Sequence, residues 1–496
     1  MSTCCVKLVP LGKVIETNEG TPLIDILHEY GVEFPCGGKG TCGKCRVKVL
    51  EGEIGTDPHH LERLNELGLK KDWRLACLSR CTEDLVLEVE QYEVIIQADE
   101  TTFDFTPQTG LGIAFDLGTT TLVGQLLDLS SGKILAVETD MNPQKVYGSD
   151  LISRLETALS NGSEEMTRII REKIGEMTGK MMQDRKVPVD RMVIVGNTVM
   201  QHFFCGYDIK PLSFYPFKSP NLNLATFTSD ELGWKIPPSS QVSFYPSIGS
   251  FVGSDILAGI LATGMHRKGA YSALIDLGTN GEIVVGNKER LLCASTAAGP
   301  AFEGAKISQG MQATTGAISS IDGNEQGWRC SVIGNGVSRG ICGSGLIDAV
   351  SVLVEGGLIG EFGEIISGES EIALDSRVSL SQKDIQEFQL AKAAISAGIE
   401  ILIRKLGIQI EKISDVYIAG GFGNYINLEN VIRVGMLKFP EEVMHKLGNS
   451  ALIGGKMFLF EDPDHPDGIL EIIEHVSLES EPGFQDIFIE NLAFGG

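Results

Sequence analysis

Four cysteines near the start of this 496-residue chain and a repeated aspartate turn further on are the residues best suited to chemistry. Cys36, Cys42, Cys45 and Cys77 follow the spacing C-x5-C-x2-C-x31-C. That is one residue longer at the first gap than the plant-type iron–sulfur spacing C-x4-C-x2-C…C. Four thiolates converging on two irons need a loop that wraps them. Gly37, Gly38, Gly40 and Gly43 permit the backbone angles for such a loop, with N–H groups free to face the sulfides. Those hydrogen bonds tune a cluster's potential. A structural zinc site also uses C-x2-C, but usually with a second close pair, and Cys77 stands far from the other three. The spacing points to a [2Fe–2S] cluster, with zinc as the alternative. Cys81 competes with Cys77 for the fourth position, and Cys4 and Cys5 read as unligated thiols.

The second chemical feature is a turn that occurs twice, 160 residues apart. Phe115-Asp116-Leu117-Gly118-Thr119-Thr120 and Ile275-Asp276-Leu277-Gly278-Thr279-Asn280 each follow an apolar strand. In such a turn backbone N–H groups and hydroxyls grip phosphate oxygens, and the aspartate holds a hydrated Mg²⁺. Asp116 and Asp276 are therefore the candidate catalytic pair, with Gly118, Thr119, Thr120, Gly278, Thr279 and Asn280 as nucleotide contacts. A third segment, Val416 to Gly423, runs a strand into Gly420-Gly421, where backbone is free to lie against an adenosine ring. A helix N-terminal turn explains the same residues equally well. Gly340 to Gly345, ahead of a helix from Leu346, either binds an anion or permits close packing. Glu303 reads better as a helix N-terminal acid than as a ribose contact. The eight histidines show no ligand spacing.

These residues need elements to position them. Residues 4–93 read as a hairpin, a helix from Pro22 to Tyr30, the cysteine loop, a strand from Cys45, a short helix over His59 to Leu67 and a last strand at Leu85 to Val89. That is the order of an α+β β-grasp ferredoxin, taken here as a domain over residues 1–93. Residues 94–110 are polar and Thr-rich and read as a linker able to let that domain swing. From Leu111 short apolar strands alternate with amphipathic helices such as Asp150 to Leu159, Thr167 to Asp184 and Asp384 to Leu406. That alternation is an α/β signature. The distance between the two aspartate turns implies two similar halves, 111–268 and 269–496, with 206–245 as an insertion in the first.

Composition narrows the function classes. The chain has 66 acidic and 41 basic residues, a formal charge of −25, which argues against nucleic acid as a partner. No stretch approaches the ~18–20 apolar residues of a membrane span. No secretory signal is legible at the start, and the scattered cysteines outside the cluster region form no disulfide framework. A cytoplasmic location follows as the expectation.

The three nucleotide segments resemble the superfamily of acetate and sugar kinases, heat-shock chaperones and actin (ASKHA), in which two ribonuclease H-like halves clamp ATP. Arg74-Leu75-Ala76-Cys77 resembles the context of the last ligand in ferredoxins, which favours Cys77 over Cys81. A narrower resemblance rests on the N-terminal ferredoxin with Gly196-Asn197-Thr198, Ala298 to Gly304, Gly340 to Gly345 and Ala419 to Gly423. Together these look like the reductive activators of corrinoid proteins, in which a [2Fe–2S] domain precedes an ASKHA ATPase. Many members carry a longer segment between the two parts. The resemblance implies ATP-dependent reduction of a corrinoid protein's Co(II) to Co(I), one electron at a time, with an upstream low-potential donor. Three rivals are an activator of a 2-hydroxyacyl-CoA dehydratase, a non-catalytic ATP- or redox-sensing module, and a sugar kinase. The Cys36–Cys77 quartet, the paired aspartates and the fused electron carrier respectively speak against them.

Overall fold

In the computed structural model, strand β1 (Thr3–Val9) turns Cys4, Val6 and Leu8 inward and leaves Thr3 and Lys7 exposed, the period of a half-buried strand. The structure describes residues 3–495 apart from 10–12, 28–39, 41–42, 44, 68, 70, 90–102, 184, 186, 235–239, 279, 297, 300, 303, 305, 314–315, 325–326, 334–336, 421–425 and 462–467. β1 pairs antiparallel with β2 (Lys13–Asn18). After helix α1 (Leu23–Leu27), strand β3 (Arg46–Glu51), helix α2 (Pro58–Glu66), β4 (Trp73–Leu75) and β5 (Leu85–Glu88) complete a sheet of order β2-β1-β5-β3-β4. β1 and β5 are parallel, the other pairs antiparallel. Val6, Leu8, Leu23, Leu27, Val47, Leu75 and Leu87 fill its core. This is the mixed sheet of the ferredoxin fold, with α2 started by Asp57, whose carboxylate accepts from the His60 N–H at 2.7 Å.

The first aspartate turn joins β6 (Leu111–Leu117) to β7 (Thr121–Asp128), an antiparallel hairpin continued by β8 (Ile134–Met141). Helices α3 (Leu151–Asn161) and α4 (Glu164–Met181) cover one face. The chain then returns as β9 (Val189–Gly196), parallel to β6, and continues through α5 (Thr198–Cys205), α6 (Lys210–Ser213), β10 (Ala225–Thr228) and β11 (Gln241–Phe244). β11 pairs parallel with β9 and antiparallel with β10. Residues 206–245 are thus not set apart from the sheet as an insertion; they supply its last two strands. Proline and aromatic residues hid that pairing, because both strands are four residues long. Helix α7 (Ser254–Thr263) ends this half.

The second turn joins β12 (Tyr271–Leu277) to β13 (Gly281–Gly286), with β14 (Leu291–Thr296) alongside. A three-stranded sheet of β15 (Ala317–Asn324), β16 (Gly327–Val332) and β17 (Gly340–Ile341), then α8 (Gly343–Glu355) and the small hairpin β18 (Glu371–Ala373) and β19 (Ser379–Ser381), lead into the long helix α9 (Gln382–Leu406). Next come β20 (Ile413–Ala419), α10 (Leu428–Arg433), β21 (Met444–Gly448) and α11 (Ser450–Phe458), then α12 (Ile469–Ile472), β22 (Ile473–His475) and α13 (Phe484–Glu490). The two large sheets share one order: β8-β7-β6-β9-β11 in the first, β14-β13-β12-β20-β21 in the second. In each, the strand bearing the aspartate pairs parallel with a later strand, β9 or β20. These are two ribonuclease H-like halves.

Between them lies a common core built by α7 and α11 with Ala114 and Val195 of the first sheet and Leu274 and Val284 of the second. The two helices approach closely: a Cβ on Gly454 would lie 2.0 Å from the carbonyl oxygen of Ala258. Among the described residues, no helix is long and apolar enough to cross a membrane.

Candidate functional site

β6 delivers Asp116 and then turns at Gly118, whose N–H donates to the Thr121 carbonyl at 3.1 Å. A Cβ at Gly118 would lie 2.6 Å from that oxygen, so the turn needs glycine. Three side chains brace the turn's carbonyls and hydroxyls. Asn142 donates to the Gly118 carbonyl at 2.9 Å, the buried Arg154 guanidinium donates to the Thr119 carbonyl at 2.7 Å, and the Asn197 amide donates to Thr119 Oγ1 at 3.0 Å. The Asn142 backbone N–H also donates to the Thr120 carbonyl at 2.8 Å. The turn is thereby held in one shape by its own neighbours.

The second turn repeats the construction. Gly278 N–H donates to the Asn280 carbonyl at 3.0 Å, and Asp276 lies in register with Ala419 of β20. The next residue, Gly420, has φ +100. A Cβ there would meet the Leu277 carbonyl oxygen at 2.3 Å and an Asp276 carboxylate oxygen at 2.9 Å. The third segment is therefore seated on the second turn. The next described helix, α10, begins at Leu428 behind the cap Asn427. Thr279 and Gly421 lie outside the described residues.

The two halves meet at the aspartates. Asn449 caps α11 in the second half, and its Nδ2 donates to Asp116 Oδ2 of the first half at 2.8 Å. At the start of α7, Ser254 Oγ bonds the Gly196 N–H at 3.1 Å, and Gly196 pairs with Leu117. The residue after Ser254, Asp255, lies near enough to Asp276 and Asp116 to feel their charge. Burial pushes the Asp116 carboxyl up to about 6. Burial, then the charge of Asp116, pushes Asp276 up to about 7. Asp255 also rises to about 7, by burial and then by facing Asp276. Glu282 on β13, opposite Asp276 in the ladder, is raised well above its usual value by burial and by both aspartates. Among the described residues no three acidic, His or Cys side chains converge as ligands of one ion, so Asp116 and Asp276 suit a hydrated cation that takes its other ligands from water and phosphate. The donor set is all oxygen, as Mg²⁺ prefers.

In the ferredoxin domain Cys45 and Cys77 come together, with sulfurs 3.2 Å apart. Cys81 turns away into the core, its sulfur 2.7 Å from that of Cys4. Gly40 and Gly43 adopt φ of +71 and +68, and Leu78 and Leu67 pack against them. Arg63 of α2 reaches the Gly40 carbonyl at 3.4 Å. Two converging thiols and a left-handed glycine loop fit a [2Fe–2S] cluster. Cys36 and Cys42 lie outside the described residues.

The structure also separates the two readings of Gly340 to Gly345. α8 starts at Gly343, where a Cβ would lie 2.0 Å from the Phe302 carbonyl oxygen, and one on Gly345 would lie 2.2 Å from that of Ile318. These glycines admit neighbouring backbone. Glu303 lies outside the described residues. Sequence reasoning missed Asn142, Arg154, Asp255, Glu282 and Asn449. Asp255 had a legible signal, since Gly253-Ser254-Asp255 opens an apolar helix behind a strand. Asn449 had none, because its partner is 333 residues away.

Comparison with known proteins gives the chain's family. Residues 6–82 match the family model of the 2Fe-2S iron-sulfur cluster binding domain, 111–268 the RACo middle region, and 270–496 the C-terminal domain of RACo, the ASKHA domain. The chain is 31% identical to the corrinoid activation enzyme RamQ of Eubacterium limosum, over 98% of both chains. It is 26% identical to a [Co(II) methylated amine-specific corrinoid protein] reductase of Methanosarcina barkeri, over 77% of each. A solved reductive activator for corrinoid, iron-sulfur protein superposes over 99% of this chain and 98% of that one, with TM-score 0.69 and 27% identity.

Proposed function

The chain belongs to the RACo family of reductive activators of corrinoid proteins, and we propose how its residues divide that work. The protein performs ATP-dependent reduction of a corrinoid protein from Co(II) to Co(I), with a [2Fe–2S] cluster and Mg·ATP as its cofactors. When bound, the cluster supplies a single low-potential electron, near −400 mV for plant-type centres. Cys36, Cys42, Cys45 and Cys77 hold it. Asp116 and Asp276 hold the hydrated cation; Gly118, Thr119 and Thr120 on one side and Gly278, Thr279 and Asn280 on the other grip the phosphates. Gly420 and Gly421 bring backbone to the nucleotide. Asp255 faces the same space and orients the water that attacks the terminal phosphate.

The observation that carries this reading is the bond from Asn449 in one half to Asp116 in the other. Any ligand that takes Asp116 alters a contact between the halves, so nucleotide state and clamp angle are linked. Co(I) lies below the cluster's potential, and each ~59 mV uphill costs a one-electron step a factor of ten. Closed and open clamps that differ in affinity for the Co(II) and Co(I) forms shift that balance. The electron comes from an upstream low-potential donor, and the work is done in the cytoplasm.

The test is anaerobic optical spectroscopy of a Co(II) corrinoid protein with this protein and a low-potential reductant. The Co(I) band should grow only when ATP is present. Equal growth without ATP would sink the proposal.

A further inference from the structure

The segment that leads into the ATPase from the cluster domain is fastened along residues 103–110. Phe103 and Phe105 pack on Phe460, with ring centroids 5.7 and 4.4 Å apart. Gln108 Nε2 donates to the Phe460 carbonyl at 3.0 Å, and the Gln108 N–H donates to the Leu129 carbonyl at 2.9 Å. Phe105 also covers Gly132, where a Cβ would lie 2.5 Å from its ring. Residues read from sequence as the last part of a swinging linker are thus held against the ATPase. Phe460 stands two residues past the end of α11. The other end of α11 is the cap Asn449, which holds Asp116.

α11 is therefore a strut about 13 Å long with the nucleotide turn at one end and the tether of the cluster domain at the other. Its far end is gripped through successive carbonyls. Tyr245 Oη donates to that of Phe458 at 3.2 Å, Arg191 to that of Leu459 at 3.0 Å and Gln108 to that of Phe460. Its flank against α7 is glycine on backbone at Gly454, a surface along which helices slide with little side-chain repacking. Asn449 has two tasks, since its Oδ1 accepts from Leu452 N–H at 2.8 Å while its Nδ2 donates to Asp116. A cation that takes Asp116 pulls on the helix cap directly.

We infer that Phe460 is a positioning residue for cobalt reduction, coupling the nucleotide turn to the fastened start of the tether through α11. The inference rests on the nucleotide site proposed above. Fastening of residues 103–110 removes about 27 Å of extended reach compared with a tether free to residue 110.

The experiment uses the full-length holoprotein and two readouts. The first is amide hydrogen exchange over residues 103–110, with and without a non-hydrolysable ATP analogue and Mg²⁺. The second is Co(I) formed per ATP hydrolysed, in wild type, in Phe103→Ala/Phe105→Ala and in Phe460→Ala. Nucleotide should change the exchange of 103–110 in wild type. The tether-side double variant leaves the ATPase intact and should lose 5–150-fold in Co(I) per ATP, the span of ordinary coupling. A tether merely lengthened dilutes the cluster domain only about twofold, so a loss of that size overturns the inference. Unchanged exchange at 103–110 in wild type overturns it as well. A wild type that forms no Co(I) overturns the functional reading and this coupling together. A wild type that reduces cobalt, matched by the variants, overturns the coupling alone.

Discussion

Asp116 and Asp276 sit where water is scarce and like charges are near, and this makes their behaviour testable. An aspartate in an unfolded chain ionises near pH 3.9. In the folded protein Asp116 keeps its proton to about 6, and Asp276 and Asp255 to about 7. The folded state therefore binds more protons between those values. The stability these groups contribute is fully present below about pH 4 and is lost as pH rises through about 7. Urea midpoints of the nucleotide-free protein should fall from pH 5 to pH 8, and the fall should be shallower in Asp276→Asn. Parallel slopes for the two proteins would refute the assignment. At the same scale, Asp255→Asn should still bind Mg·ATP, seen as a thermal shift, while ATP hydrolysis drops by about 10²–10⁴-fold. Turnover at the wild-type rate would remove Asp255 from the chemistry.

At the scale of elements, two glycines in helices predict opposite outcomes for one substitution. Gly454 in α11 lies on the backbone of α7, and a Cβ would meet Ala258 oxygen at 2.0 Å. Gly454→Ala should destabilise by about 1–3 kcal/mol and should weaken the ATPase, since α11 carries Asn449. Gly179 in α4 has nothing within 4 Å of its would-be Cβ. Gly179→Ala should stabilise by about 0.5–1 kcal/mol through helix propensity alone. Chemical denaturation of both variants decides the matter, and a shared sign would mean the α7–α11 contact is looser than described. The long helices α3, α4 and α9 were legible from their periodicity, whereas α7 and α11 were not read from the sequence. α9 runs Gln382–Leu406, against an expected start at Asp384, because Ser381 and Asp384 form a capping box two residues earlier. The pairing of β11 with β9 was not legible, since short strands rich in aromatic residues carry no partner information.

Over the whole molecule, the cluster fold and the ATPase have separate cores. Cys45→Ser should therefore abolish the cluster's visible absorbance and all Co(I) formation while leaving ATP binding, read as a nucleotide-induced thermal shift, in place. Loss of the nucleotide shift in that variant would show that the two parts fold as one. The shared core between the ATPase halves behaves differently, because α7 and α11 each pack against the sheet of the other half. In the proposed mechanism a nucleotide between Asp116 and Asp276 acts on that core, and the inferred coupling runs from there through α11 to the tether.

The sequence by itself determined the local chemistry: four cysteines at an iron–sulfur spacing, two aspartate turns after buried strands, and the alternation that makes two α/β halves. These are legible because spacing, turn glycines and periodicity act over a few residues, and because a repeat announces itself at any distance. Only the tertiary structure decided which groups meet. Cys81 joins Cys4 rather than Cys45, Asn449 reaches Asp116 across 333 residues, and Asp255 and Glu282 lie near enough to Asp276 to feel its charge. Phe103 and Phe105 find Phe460 for the same reason. Their partners are chosen by the packing of two halves around α7 and α11, and no short-range pattern in the chain encodes that choice.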